Sequence, residues 1–210
     1  MLYLSRVFIP FTLLDTWILM AGIALAGQLA GLLVLIAYVP YVLGTVRGTT
    51  KPNRATWFIW SAVCIIISAS YWKAGAESTI WVPLLNAFGT TLIAFLSLKY
   101  GEGGWTGLDK ACLFASGISL ILWWLSGNPV IALTINMLID AIGAVPTVVK
   151  AYHDPKHENR SAWLTWLAAY LVNLFAIGSW SYAIAAYPAY LFVQALMMVS
   201  LTYGMGNKKS

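Results

Sequence analysis

The chain has 210 residues, 60% of them hydrophobic and only 9% charged, and its mean hydropathy is +0.78. Soluble domains carry roughly 25% charged residues, so the composition excludes a water-soluble globular protein and indicates an integral membrane protein. The formal net charge of +5 does not indicate a nucleic-acid partner, because the basic residues form no run with interleaved aromatic side chains.

Apolar stretches divide the chain into seven predicted membrane spans, since a spanning helix needs about 20 mainly apolar residues. Short polar breaks that carry most of the charge separate these stretches. Residues 1–19 contain Arg6, Pro10 and Asp15 and are predicted as an interfacial segment, with an eighth span there as the alternative. The predicted spans are 20–46, 55–72, 79–98, 109–126, 128–149, 161–180 and 183–204.

The distribution of cations predicts the orientation of these spans, because Lys and Arg residues beside spans are retained on the cytoplasmic side. An external N-terminus and a cytoplasmic C-terminus place ten of the twelve Lys and Arg residues inside, leaving Arg6 and Lys73 outside. We therefore expect the chain in a plasma membrane or a bacterial-type inner membrane with this orientation.

A duplicated frame, Asn-Arg-x-x-Trp-x-x-Trp, begins at Asn53 and again at Asn159. An offset of 106 residues superposes the two copies without a gap and also places Pro40 on Pro146. Internal duplication of helices is a recognised way of building membrane transporters. The sequence therefore predicts that the chain contains two copies of one helical unit.

Each predicted copy holds three spans, so one intervening helix is needed for both copies to insert with the same polarity. The fold class that follows is an all-α integral membrane protein with seven transmembrane helices in a 3+1+3 arrangement. Two parallel three-helix bundles occupy residues 20–98 and 128–204, and a linker helix at 109–126 joins them.

This pattern resembles the PQ-loop group, which includes the SWEET sugar transporters, the nicotinamide riboside transporter PnuC, cystinosin-type exporters and the KDEL receptor. The resemblance lies in a proline near the cytoplasmic end of the first helix, a short basic loop and a Trp-bearing second helix. It covers nearly the whole chain, although Pro40-Tyr41 and Pro146-Thr147 stand where Pro-Gln is usual. It implies the 3+1+3 fold and small-molecule transport.

The two prolines are predicted to form a paired hinge. A proline inside a helix removes a backbone hydrogen bond and kinks the helix, and transmembrane helices tolerate the kink. Pro40 and Pro146 lie at equivalent places in the two copies, so a rocking motion of one copy against the other would bend both. The alternative is that they only shape the packing.

The duplicated frame begins where a cytoplasmic loop becomes a helix. Asn53 and Asn159 are predicted to cap that helix, while Arg54 and Arg160 are expected to meet lipid phosphates or a carbonyl of a neighbouring helix. These roles need no ligand.

The second tryptophan of each frame is a candidate for a binding cavity. Trp60 and Trp166 lie one turn deeper than the interfacial aromatic belt, and packing within that belt is the alternative. Trp163, Trp166, Tyr170 and Asn173 follow a spacing of i, i+3, i+7 and i+10, which forms one stripe on a helix.

Four amide side chains are predicted at a similar depth, about 10–17 Å from the outer ends of their spans at 1.5 Å per residue. Buried amides are unfavourable unless they pair with each other, water or a ligand, so they favour a neutral solute rich in hydroxyl or amide groups. The resemblance relates Asn86 to the third-helix Asn of SWEET proteins, with Gln194 in place of the partner Asn. The four amides are Asn86, Asn136, Asn173 and Gln194.

Asp140 is the ionisable residue deepest in a predicted span, and intramembrane carboxylates are unfavourable and usually functional. It lies four residues after Asn136, and its counterpart in the first copy is Val34. The resemblance to cystinosin-type exporters implies that Asp140 couples transport to protons. The alternatives are neutralisation by Lys150 and capping of a broken helix.

The sequence offers no set of residues typical of an enzyme or a cofactor site. His153 and His157 have a spacing that could hold a metal ion, but their open loop favours a solvated face. We therefore expect a transporter of a small neutral polar solute. The alternative is a ligand-binding receptor of the KDEL-receptor type. The expected partners are the solute and membrane lipid, and homo-oligomerisation stays open.

Overall fold

The structure is a computed structural model that describes residues 11–74, 77–103, 106–126 and 129–204. Within these ranges the chain forms seven α-helices, one 3-10 turn at Pro155–His157 and no β-strand. The helices are α1 (Phe11–Val46), α2 (Arg54–Ala74), α3 (Trp81–Tyr100), α4 (Gly107–Ser126), α5 (Pro129–His153), α6 (Arg160–Leu174) and α7 (Tyr182–Gly204).

Four helices of the described part are long and apolar enough to cross a membrane. They also expose large apolar side chains such as Leu25, Ile36 and Phe88, which suit contact with lipid. The chain is thus all-helical in its described part and has the composition of a membrane protein. The four segments are Asp15–Val46, Trp81–Tyr100, Leu133–His153 and Tyr182–Gly204, and α2 adds a shorter apolar stretch at Arg54–Ala69.

Two helix boundaries differ from the sequence prediction. α1 begins at Phe11, so residues 11–19, predicted as interfacial, are its first turns; Arg6 and Pro10 lie outside the described residues. α6 was expected to reach residue 180 but ends at Leu174. Its backbone tightens there into i to i+3 bonds, Phe175 to Val172 and Ala176 to Asn173, and such turns commonly close helices. At 15 residues α6 is about 22 Å long.

The helices pack in two groups with the same internal pattern. α3 packs against both α1 and α2, and α7 packs against both α5 and α6. Between the groups, α1 packs along α6, and α2 packs along α5. If α1, α2 and α3 are exchanged with α5, α6 and α7 in that order, the set of packed helix pairs stays the same. The remaining helix, α4, packs on α5 and α2.

Glycines allow the closest approaches between helices. A Cβ atom on Gly89 of α3 would lie 2.1 Å from the ring of Tyr38 in α1, and one on Gly143 of α5 would lie 2.5 Å from Ile59 of α2. Small residues at helix interfaces are typical of membrane proteins. These contacts hold α1 to α3 and α2 to α5 around the central residues.

The predicted caps of the duplicated frame are confirmed. Asn53 Oδ1 accepts a hydrogen bond from the backbone N–H of Thr56 at 3.1 Å, and Asn159 Oδ1 accepts one from that of Ala162 at 3.0 Å. Each asparagine thus satisfies a free amide in the first turn of its helix. The first turns of α2 and α6 are built in the same way.

The side-chain nitrogens of the two asparagines donate to different partners. Asn159 Nδ2 donates to the carbonyl oxygen of Pro40 in α1 at 2.8 Å, whereas Asn53 Nδ2 donates to Asp109 Oδ1 in α4 at 3.1 Å. Asp109 also accepts hydrogen bonds from the backbone and side chain of Thr106, which forms a capping box at the start of α4. α4 therefore holds the side chain of Asn53.

The two frame arginines also differ. Arg54 donates three hydrogen bonds of 2.7–2.9 Å to backbone carbonyls at the end of α3, as one of the two predicted roles requires. Arg160 instead lies over the ring of Tyr203 at 5.5 Å. The three acceptors of Arg54 are the carbonyl oxygens of Ser97, Gly101 and Gly103.

Candidate functional site

A small cavity lies between six of the helices, with walls from both helix groups. Its volume of about 30 Å³ gives room for about two water molecules. Six of the predicted site residues line this cavity: Trp60, Asn86, Asp140, Trp166, Tyr170 and Gln194.

Two predicted amides do not line the cavity. Asn136 and Asn173 are each 1% exposed and lie about one turn beyond Asp140 and Tyr170 on their helices. In each, Oδ1 accepts no hydrogen bond from the described residues. Depth along a helix was predictable from residue counting, but the level at which the cavity ends was not.

Four tryptophans form a closed arrangement beside the cavity, here called the tryptophan ring: Trp57, Trp60, Trp163 and Trp166. Within each frame copy the ring centroids are 5.2 and 5.1 Å apart, and between the copies two pairs are each 6.2 Å apart. All four side chains are buried, so none belongs to an interfacial belt. Trp57 and Trp163, the first tryptophan of each frame, therefore also line the cavity. Their depth in the spans predicted this position only for the second tryptophans, Trp60 and Trp166.

Asn86 joins three helices by hydrogen bonds. Its Oδ1 accepts from the hydroxyl of Tyr38 in α1 at 3.0 Å, and its Nδ2 donates to the hydroxyl of Tyr170 in α6 at 3.2 Å. The ring of Tyr38 also packs edge-on against Trp166 at 5.0 Å. Tyr38 lies in an apolar run of the sequence, so nothing in that pattern distinguishes it from a core residue.

Asp140 is 2% exposed and lies at the other side of the cavity. Its Oδ2 accepts hydrogen bonds from the hydroxyl of Tyr190 at 2.6 Å and from Gln194 Nε2 at 2.9 Å. Its backbone carbonyl accepts from Trp60 Nε1 at 3.2 Å. Tyr190 was not predicted; its position four residues before Gln194 on one face of α7 is the signal that could have found it.

Lys150 does not neutralise Asp140, which was one alternative from the sequence. It pairs with Glu158 at 2.5 Å and with Glu102 at 3.4 Å. The side chain of Glu158 is 0% exposed, and its Oε2 accepts a hydrogen bond from Trp163 Nε1 at 2.9 Å. Glu158 thus connects this ion pair to the tryptophan ring. In the predicted orientation, the ion pair lies on the cytoplasmic side of the tryptophan ring.

The predicted hinge residues Pro40 and Pro146 both lie inside helices, in α1 and α5. The carbonyl of Pro40 receives the hydrogen bond from Asn159. The two prolines are therefore placed where a bend in either helix would change the contacts between the helix groups.

The two histidines of the loop after α5 have separate surroundings. His157 Nδ1 pairs with the carboxylate of Asp154, and this hydrogen bond is the main cause that holds the pKa of Asp154 below its usual range. His153 packs against the ring of Tyr152. The described residues contain no group of three side chains that could hold a metal ion.

The fold and the site define a protein that is all-helical in its described part, with four helices long and apolar enough to span a membrane and a small cavity of mixed aromatic and polar character. The sequence matches no family model and no curated protein, and the fold matches no solved structure.

Proposed function

We propose that this chain is a small-molecule membrane transporter of the PQ-loop or SWEET-like type, which moves a small polar solute by alternating access. The cavity carries this proposal. It lies between the two helix groups, and its walls combine aromatic side chains with the polar side chains of Asn86, Tyr170 and Gln194. Cavities of this composition are typical of small-molecule sites.

The proposed architecture is two parallel three-helix bundles joined by α4. The exchange of helix contacts between the groups and the equal 6.2 Å distances in the tryptophan ring support it. In this arrangement α2, α4 and α6 also cross the membrane, the N-terminus lies outside, and the C-terminus lies in the cytoplasm of a plasma or bacterial-type inner membrane.

Alternating access follows when one helix group rocks against the other. Bending of α1 near Pro40 and of α5 near Pro146 opens the cavity to one side, and the opposite bend opens it to the other. The aromatic faces of Trp60 and Trp166 hold the solute between them. Asp140 gains a proton on one side and loses it on the other, which ties the motion to a proton gradient.

The receptor alternative has less support. A receptor for a charged peptide terminus places cations in its site, whereas no Lys or Arg is among the described residues that line the cavity. Lys150, the cation nearest in sequence, is held by two glutamates.

Flux through liposomes that contain the purified chain tests the proposal. Sugars, nucleosides, vitamins, amino acids and amines are offered with and without an imposed pH gradient. Asn86→Ala is expected to reduce the flux of a transported solute, and Asn136→Ala, which removes a buried amide outside the cavity, is the matched control. Transport is refuted if no solute crosses faster than through empty liposomes, and the site is refuted if both variants lose flux equally.

A further inference from the structure

The carboxylate of Asp140 lacks a positive partner. Its two hydrogen-bond donors, Tyr190 and Gln194, are neutral, and both act on Oδ2. Among the described residues, no donor reaches Oδ1 and no cation pairs with the carboxylate. An ionised carboxylate buried without a cation is strongly unfavourable. The group must therefore hold either a proton or an external positive charge.

The neighbouring elements do not supply that charge. Lys150, the cation nearest to Asp140 in sequence, is paired with Glu158, and Lys110 lies in the first turn of α4. Asp109 and Cys112 lie in the first two turns of α4, and neither lines the cavity. The ionisable side chains that face Asp140 from the other helices are Tyr38, Cys64, Tyr170, Tyr187 and Tyr190.

The cavity wall suits an organic cation better than a metal ion. Metal cations such as Ca²⁺ need several carboxylate and carbonyl oxygens around them, and Asp140 is the single carboxylate among the described residues of this wall. The tryptophan ring and Tyr38 line the cavity with aromatic side chains, and aromatic rings attract ammonium groups. Indole rings are the strongest of the aromatic partners for such groups.

An unpaired donor points to a second feature of the ligand. Trp166 lines the cavity and is buried, and its Nε1 has no hydrogen-bond acceptor among the described residues. A buried donor without a partner is unfavourable. A hydroxyl or carbonyl oxygen on the ligand would satisfy it.

We infer that the solute is a small organic monocation, a protonated amine or quaternary ammonium that also carries a hydrogen-bond acceptor, with Asp140 as its counter-ion. This inference rests on the proposed transport function. One carboxylate balances one positive charge, so the cation and the proton occupy the site in turn. Entry of the cation converts the carboxylic acid of Asp140 to carboxylate and releases one proton to water. The cavity of about 30 Å³ is smaller than such a cation, so binding requires the two helix groups to move apart.

Calorimetry and tryptophan fluorescence of the detergent-purified chain test this. The probes are choline, tetramethylammonium and benzyltrimethylammonium, with 3,3-dimethylbutan-1-ol as the neutral isostere of choline. We expect at least one cation to bind saturably and to release one proton. The apparent Kd of that cation should fall about tenfold for each unit rise in pH while Asp140 is mostly in its acid form. The neutral isostere should bind roughly tenfold or more weakly.

Variants separate this inference from a neutral-solute site. Asp140→Asn should abolish cation binding, whereas Asp15→Asn, at an exposed position near the start of α1, should leave it unchanged. Asp140→Glu keeps the charge and should restore binding if the asparagine variant unfolds. A neutral solute would still bind to Asp140→Asn and would lose only its dependence on pH.

The outcomes also distinguish the two proposals. If none of the three cations binds while a neutral solute is transported, the organic-cation inference is wrong and transport stands. If Na⁺ binds with the pH dependence expected for choline and the organic cations do not, the site is an inorganic cation site. If no solute of any class is transported in liposomes, the proposed function itself fails.

Discussion

The indole ring of Trp60 lies 6.2 Å from that of Trp163, and these residues are the second tryptophan of one frame copy and the first of the other. Trp57 and Trp166 repeat the relationship at the same distance. Each copy of the frame therefore contributes two tryptophans to the wall of one cavity. This is the structural use of a motif that occurs twice.

Trp166→Phe is expected to weaken solute binding by about tenfold. Phenylalanine keeps an aromatic face but removes Nε1, and a hydrogen bond to a ligand is worth about 1–1.5 kcal/mol. Titration of the purified variant with a transported solute measures the loss. Trp180→Phe, at a 72% exposed position, is the control, and equal affinities for the two variants would remove Trp166 from the site.

Glu158→Leu is expected to lower the free energy of unfolding by about 3–5 kcal/mol, because it leaves the ammonium of Lys150 without its buried partner. Unfolding in detergent, followed by circular dichroism, measures the change. The double variant with Lys150→Met should recover much of the loss, since two apolar side chains replace both charges. An additive double variant would show that the ion pair contributes little.

Asn53→Asp and Asn159→Asp should differ in stability, although both keep the oxygen that caps the helix. Aspartate at position 53 faces the carboxylate of Asp109, whereas aspartate at position 159 faces the carbonyl of Pro40. We expect Asn53→Asp to be less stable than Asn159→Asp by about 2 kcal/mol at neutral pH. The gap should narrow in acidic buffer, where protonation of either carboxyl relieves the repulsion. Equal stabilities at neutral pH would contradict this assignment.

Pro40→Ala and Pro146→Ala are expected to slow transport while leaving the fold intact. Alanine restores the backbone donor and stiffens the helix, so the rocking step should slow by about tenfold, or ~1.4 kcal/mol of barrier. Stopped-flow flux in liposomes gives the rates. Pro188 also lies inside a helix, α7, and Pro188→Ala is the control for general effects of removing a proline. A similar rate for all three variants would argue against a paired hinge.

The sequence predicted the local features better than the assembled site. The caps at Asn53 and Asn159 depend on neighbours in the chain and were predictable from residue type. Asn173 shares a helical stripe with Tyr170 but does not line the cavity, because a stripe does not show the level at which a cavity ends. Residues such as Tyr38 and Tyr190 were missed because aromatic residues in apolar runs look like core until their hydroxyl partners are known.

The Lys150 and Glu158 pair was missed for a different reason. Both residues lie near a loop, and the sequence analysis considered Lys150 only as a cytoplasmic cation or as a partner of Asp140. The fold buries this pair because the loop before α6 places Glu158 beside Trp163. There the indole N–H of Trp163 donates to Glu158, and the ammonium of Lys150 pairs with it. No pattern in a single sequence shows that contact between distant segments.

The asymmetry between Asp140 and its counterpart Val34 has a consequence for the membrane potential. A symmetric pair of identical three-helix units would bring two carboxylates to one cavity, while the single chain has placed one there and a fully buried valine in the other copy. With one carboxylate that trades a proton for a monovalent cation, each cycle moves no net charge across the bilayer. Such a carrier would be electroneutral. The chemical gradients of its two ions would drive it, and the membrane voltage would not.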